Sequence, residues 1–444
     1  MSAVALLPFQ TAFDPPQQAE GSLDPLGLYS IADALGVRLA PGVRERQSKP
    51  RYLTLALAGF AVCQGALQEL GSQKNLPAWL VFEWLVVQAL VKRFAGTPDL
   101  RGIPGRDKVA ECLRRGEPVC ASNYLKTPSV FGFHGIYRVL GVKVGLFDAD
   151  GNPMERGRRI LQAWQQDQQL AGYLDGQGPG RDLRRAIDKA VRAGLESGRM
   201  AAPGGDVAAW IATHLNPHQP GSKEREVLWA TLTQSDMLRG EYAALLTDAT
   251  GQKDWQTSED SEAAFHESLL NRASLPLQHL LRTIRAFEQL ARLLTDAFDE
   301  ARWNMSQEGQ PVTMGWIAGG ACVQRAGREG AAAFRDALLL LGEVDPAMRV
   351  RAESSLSWVG ESANATEFAT HLFAHHERVQ LAKPPNGKRP WFDTFGDGRI
   401  AIRPAYEPEK FAPAVDEYVH AYRTRPIWSF AIDLGRVRLV EDVA

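Results

Sequence analysis

Residues 274–303 read SLPLQHLLRTIRAFEQLARLLTDAFDEARW, and their periodicity sets the fold class. Leu277, Leu280, Leu281, Ile284, Phe287, Leu290, Ala291, Leu294 and Phe298 recur at steps of three and four, and Arg282, Arg285, Glu288, Arg292, Asp296 and Asp299 fall largely between them. That spacing lines one face of an α-helix with apolar side chains. A helix of this length spans ~40 Å. It is expected to be the spine of a C-terminal helical domain, with segments 334–341 and 366–381 packed against it.

The same periodicity extends outward. Helical patterns cover 28–35, 52–70, 79–94, 181–211 and 228–246, whereas the polar stretch 250–262 suits a surface loop or linker. The most apolar run, 79–91, is interrupted by Glu83 and Gln88 and falls short of the roughly 20 residues a membrane span needs, so it predicts a buried core helix. Between the first two helical patterns lie Arg38, Arg44, Arg46, Lys49 and Arg51 with only Glu45 opposing; Pro41, Gly42 and Pro50 make this a basic loop.

Composition sets the limits. A chain of 444 residues with 45% apolar and 23% charged residues is expected to fold into two to four domains, each with its own core. The net charge of −2 leaves local patches, not the whole-molecule field, to meet any nucleic acid. Four scattered cysteines, without metal-finger spacing, fit a reducing cytoplasm. The first 28 residues lack a basic start followed by an apolar run, so no signal peptide is expected.

The segment of most functional interest is 121–164, ASNYLKTPSVFGFHGIYRVLGVKVGLFDADGNPMERGRRILQAW. Thr127 and Pro128 suit a helix start, and Val130, Phe133, Ile136, Tyr137 and Leu140 then recur at helical spacing toward an expected end near Gly141. Val142, Val144, Leu146 and Phe147 are β-prone, 148–152 is an acidic turn with an Asp-Gly pair, and 154–164 opens another helix. This order of helix, short strand, acidic turn and helix resembles the end of a winged-helix domain, through Gly145, Leu146, Phe147, Asp148, Asp150, Gly151, Glu155, Gly157, Ile160 and Leu161. Glu155 stands where the family usually has Thr. The resemblance covers about 45 residues and implies a helix in the DNA major groove with the wing on the backbone. Its candidate contacts are Asn123, Tyr124, Lys126, Ser129, His134, Arg138 and Lys143, with Arg156, Arg158 and Arg159 beyond the hairpin. Residues 101–200 hold 17 Lys and Arg against 11 Asp and Glu.

A second basic and aromatic stretch, 378–403, has six basic residues against Asp393 and Asp397. Residues 391–395 and 399–403 read as two strands joined by Gly396-Asp397-Gly398, with Arg399 and Arg403 opposite Ile400 and Ile402. Lys388, Arg389, Arg399 and Arg403 are candidate DNA contacts; Trp391 and Phe392 would either stack on bases or belong to the core.

Catalytic motifs are sparse. There is no phosphate-binding G-x-x-x-x-G-K-[ST] loop and no G-x-S-x-G elbow. Glu367, His371 and His375, four residues apart, would share a helical face and could ligate a metal.

The expected architecture is mainly α: an N-terminal arm (1–25), a helical domain (26–118), a winged-helix-like module (119–170), a helical segment (171–255) and a C-terminal helical domain (256–444) with a basic hairpin at 386–404. The expected function is a non-catalytic, cofactor-free adaptor subunit that meets double-stranded DNA and other protein subunits, with no membrane contact. The whole chain also resembles, in general style, uncharacterised bacterial proteins of phage-defence gene clusters, which implies antiviral defence. Two alternatives stand beside this: a protein-interaction scaffold without DNA contact, and a metal-dependent hydrolase built on Glu367, His371 and His375.

Overall fold

A computed structural model describes residues 24–437, except Pro385, Val415 and the side chain of Asp99; all but the last two residues of the expected N-terminal arm lie outside the described residues. The chain is mainly α-helical, with twenty α-helices and two small antiparallel sheets among the described residues. It divides into two compact units, one formed by residues 36–277 with 421–437 and the other by 24–35 with 278–420.

The first unit is built on α1 (Tyr52–Cys63), every residue of which is buried, as expected of a helix that is apolar all round. After α2 (Ala66–Gln73) comes α3 (Ala78–Phe94), the apolar run of the sequence. Glu83 and Gln88, which interrupt that run, are fully buried. A two-residue strand β1 (Val119–Cys120) is followed by α4 (Pro128–Phe131), α5 (Phe133–Lys143) and α6 (Glu155–Asp167); β1 pairs with β2 (Arg199–Met200). Helices α5 and α6 pack on α1, and α5 also on α3, so the 121–164 segment shares its core with earlier helices.

Several local features differ from the sequence expectation. The 52–70 pattern is two helices, Tyr52–Cys63 and Ala66–Gln73, broken at Gln64–Gly65. Residues 228–246 are not one helix: Ser222–Gln234 and Met237–Thr247 are separate, because the Asp236 carboxylate accepts the Arg239 N–H at 2.9 Å and starts a new helix. The polar stretch 250–262 is largely helical (Ala249–Thr257), capped by Asp248 and anchored by buried Trp255. Within the basic loop, Arg51 is wholly buried: its Nε donates to Glu224 at 3.1 Å and its Nη groups to the carbonyls of Asn216 and His214.

The long amphipathic helix is α7 (Leu275–Glu308), which runs five residues past Trp303, the end read from the sequence. Leu281, Ile284, Phe287, Leu294 and Phe298 are all buried on it. In the second unit α8 (Ala321–Val344) packs on α9 (Pro346–Glu361) and α10 (Ala365–Leu381). The C-terminal hairpin forms as expected, β3 (Phe392–Thr394) against β4 (Ile400–Ile402), with Phe392 opposite Ile402 and Thr394 opposite Ile400. Its buried edge closes on an aromatic cluster in which the Phe298 ring lies 4.9 Å from His376, 5.8 Å from Trp391 and 5.6 Å from Phe392. Edge and offset contacts of this kind each contribute ~1 kcal/mol beyond area burial.

Candidate functional site

Helix α5 buries Phe133, His134, Ile136, Tyr137 and Leu140 and exposes Arg138, Val139, Val142 and Lys143. It does not stop at Gly141. A Cβ at Gly141 would collide with the Phe147 ring, so that glycine serves close packing, and the left-handed glycine is Gly145, at φ +73°. Leu146 N–H donates to Gly141 O at 2.9 Å and Gly145 N–H to Val142 O at 3.1 Å, the paired bonds of a Schellman cap. Val142 therefore belongs to the helix, and the expected strand shrinks to a single bridge between Phe147 and Pro153. The turn beyond it is held by Asp148, whose carboxylate accepts from Asp150 N at 2.9 Å and Asn152 N at 2.8 Å.

Beneath α5 lies Glu83. Its carboxylate accepts from Tyr124 OH at 2.8 Å and from the His134 backbone N–H at 2.9 Å, and a Cβ at Gly132 would strike it. Burial, outweighing those two bonds, pushes the Glu83 pKa up to about 7. His134 is 6% exposed, stacks on Trp79 at 4.3 Å and meets the edge of Phe60 at 4.9 Å. Burial first, and then the nearby Arg138 charge, lowers its pKa to about 3, so its ring is neutral at physiological pH.

The basic loop is fastened to this helix. Gln47 Nε2 donates to Ile136 O at 2.8 Å, and Tyr137 OH accepts from Ser48 N and Lys49 N at 3.0 and 2.8 Å. Gly42, at φ +83°, brings the loop close to Leu140 and Lys143. Arg44 and Arg46 are exposed on the loop, and the Arg46 guanidinium sits 4.7 Å over the Phe131 ring. Neither residue is among the candidate contacts that the sequence indicates. The loop's basic character is visible there, but its attachment to α5 depends on partners 88 and 89 residues away.

The candidate contacts divide into three groups. Lys126, Lys143 and Arg158 are exposed and their side chains make no hydrogen bond or ion pair among the described residues, and Ser129 is exposed as well. Arg138, Arg156 and Arg159 are exposed but engaged: Arg138 donates to Ala149 O at 2.6 Å, Arg156 to Val144 O at 3.1 Å, and Arg159 pairs with Glu155 at 3.1 Å. Asn123, Tyr124 and His134 make internal contacts and do not lie on the exposed face. Asn123 bridges Cys120 N and Pro118 O, Tyr124 holds Glu83, and His134 is buried in its stack.

In the hairpin, Arg399 pairs with Asp397 at 2.7 Å and Arg403 with Asp393 at 2.8 Å, while Arg389 is exposed and Lys388 half-buried. Trp391 and Phe392 are buried; Trp391 stacks on Tyr406 at 4.8 Å and carries the Arg302 guanidinium at 4.8 Å. Their faces are taken by the protein, so they belong to the core and offer no platform for bases.

The spacing of Glu367, His371 and His375 does not produce a metal set. Glu367 accepts from Ala363 N at 3.0 Å, His371 Nδ1 lies 2.9 Å from Ser362 Oγ, and buried His375 Nε2 lies 2.8 Å from Leu26 O. No three His, Cys, Asp or Glu side chains among the described residues converge to hold a metal ion. His376 is likewise structural: Trp391 N–H donates to its Nε2 at 3.0 Å, which leaves Nδ1 protonated to donate to Pro25 O at 3.0 Å. Comparison with known proteins finds no matching family model, curated protein or solved structure.

Proposed function

We propose that the outer face of α5, with the basic loop fastened beside it, is a contact surface for the phosphates of double-stranded DNA, in a winged-helix-like module of a non-catalytic adaptor subunit. The observation that carries this reading is the set of uncommitted cations, Arg44, Arg46 and Lys143 around α5, with Lys126 before α4 and Arg158 on α6. Exposed basic side chains without acidic partners lose little on meeting a phosphate and release its counterions. The acidic turn at 148–152 is internally hydrogen-bonded, with Asp148 held below the usual carboxylate range chiefly by its bonds to Asn152. The general resemblance to phage-defence-cluster proteins is the ground for reading the adaptor as part of antiviral defence.

Binding of a fluorescent random duplex tests this. With five phosphates neutralised, affinity should fall by about 500-fold between about 50 and 200 mM salt. No binding at the lower salt would overturn the reading.

One observation favours a second reading. Val130, Phe131, Val139, Val142 and Met154 are all more than a third exposed on α4, α5 and the approach to α6. Exposed apolar side chains at this density suit a protein-docking face. A duplex-binding result that is unchanged by Val139→Asp and Val142→Asp, beside loss of a co-purifying subunit, would assign those residues to a partner protein.

A further inference from the structure

A cleft of about 610 Å³ opens beside the N-terminal half of α5, in the unit formed by residues 36–277 and 421–437. Its walls come from the break between α1 and α2, the start of α3, the start of α5 and the 149–151 turn. Phe60, Trp79 and His134 form an aromatic wall, and Gln68 and Asn75 present exposed amides. Arg138 and Asp150 line the same cleft; Arg138 is fixed by its bond to the carbonyl of Ala149, the residue before Asp150. The volume falls in the range of small-molecule sites.

His134 makes this more than a surface dent. It is more than nine-tenths buried and lines the cleft, and neither ring nitrogen has a hydrogen-bond partner among the described residues. Trp79 covers one ring face, and Phe60 meets the ring in a T-shaped contact. Neither ring nitrogen is sealed from the cleft, so the ring presents a donor and an acceptor to whatever enters it.

We propose that this cleft is a nucleotide site: the base lies against Trp79 with its edge on His134, the ribose hydroxyls reach Asp150 and the phosphate reaches Arg138. A base supplies the planar face and the mixed donor–acceptor edge that Trp79, His134 and the two amides complement, and Arg138 and Asp150 match the two polar ends of the sugar phosphate. The nucleotide is either free in solution or an unpaired residue of a nucleic-acid strand. The inference stands whether or not the outer face of α5 binds a duplex, since the cleft needs only one nucleotide.

The test is calorimetric titration of the whole chain with AMP, GMP, CMP and UMP up to about 5 mM, beside anisotropy with a perfect duplex and one carrying a single unpaired nucleotide. At least one monophosphate should bind, and His134→Phe, which keeps the stack and removes the ring nitrogens, should weaken it by about tenfold or more. Asp150→Asn, on an exposed side chain that forms no bond in the turn among the described residues, should weaken ribonucleotides more than their 2′-deoxy counterparts and keeps the test open should the first variant not fold. Mononucleotide binding assigns the free source. Tighter binding of the duplex with the unpaired nucleotide, abolished in either variant, assigns the strand source. The proposal is overturned if no monophosphate binds and the two duplexes bind alike, or if both variants bind as the wild type does.

Discussion

The α5 surface and the C-terminal hairpin are alike in sequence, each a run of basic residues among aromatics, and the structure uses them differently. In the hairpin, Arg399 and Arg403 each have an aspartate within 3 Å, and Trp391 and Phe392 close an aromatic core. Around α5, Arg44, Lys126, Lys143 and Arg158 have no such partner among the described residues, and Phe131 lies at the surface beneath Arg46. A basic and aromatic run is therefore not by itself a binding surface. What decides is whether neighbours have already taken the charges and the ring faces.

The largest effect expected from this contrast is on stability. Trp391→Ala removes a ring stacked on Tyr406 and set among Phe298 and His376, and should cost about 3–5 kcal/mol in denaturant unfolding. Phe131→Ala, on a ring 44% exposed, should cost less than about 1 kcal/mol. Equal losses would erase the distinction between the two regions.

Next is the buried carboxyl under α5. A glutamate whose folded pKa is about 7, against roughly 4.3 unfolded, holds its proton more tightly when folded. Its contribution is full below about pH 4 and is lost as pH rises through about 7. Glu83→Gln should therefore gain on the wild type as pH rises from about 4 to about 8, by on the order of 3 kcal/mol at the upper end. Parallel stability–pH curves would show that Glu83 titrates as an ordinary carboxylate.

The smallest effect belongs to the hairpin arginines. Arg399→Gln and Arg403→Gln should change stability by less than about 1 kcal/mol each, because both pairs are at least partly exposed. Duplex affinity should move by less than about threefold, because charges already paired with aspartates neutralise few phosphates. A larger drop would make the hairpin the stronger nucleic-acid surface and reverse the ranking of the two regions.

The features legible in the sequence are those fixed by local chemistry. The α7 stripe follows from steps of three and four, and the hairpin register from a Gly-Asp-Gly turn between alternating strands. The burial of α3 follows from its apolar run. Two glycines in one short stretch make the end of α5 ambiguous: Gly141 looks like the helix end in sequence, whereas Gly145 adopts the left-handed conformation and Gly141 makes room for Phe147. Residues 250–262 read as a loop because their polarity hides one anchoring tryptophan, Trp255. The candidate site is least legible where it is non-local. Gln47 meets Ile136 across 89 residues and Tyr124 meets Glu83 across 41, and no periodicity reports such pairs. The one signal available is Glu83 itself, a charge in an otherwise apolar run.

Whether the cations around α5 are free to meet phosphates is best decided by the salt slope of duplex binding, measured for the wild type and for the triple variant Arg44→Gln, Arg46→Gln, Lys143→Gln. The slope of log affinity against log salt should become shallower by about 2.7 in the variant, near 0.9 for each phosphate neutralisation removed. An unchanged slope, or no duplex binding by the wild type at about 50 mM salt, would show that these cations do not meet DNA.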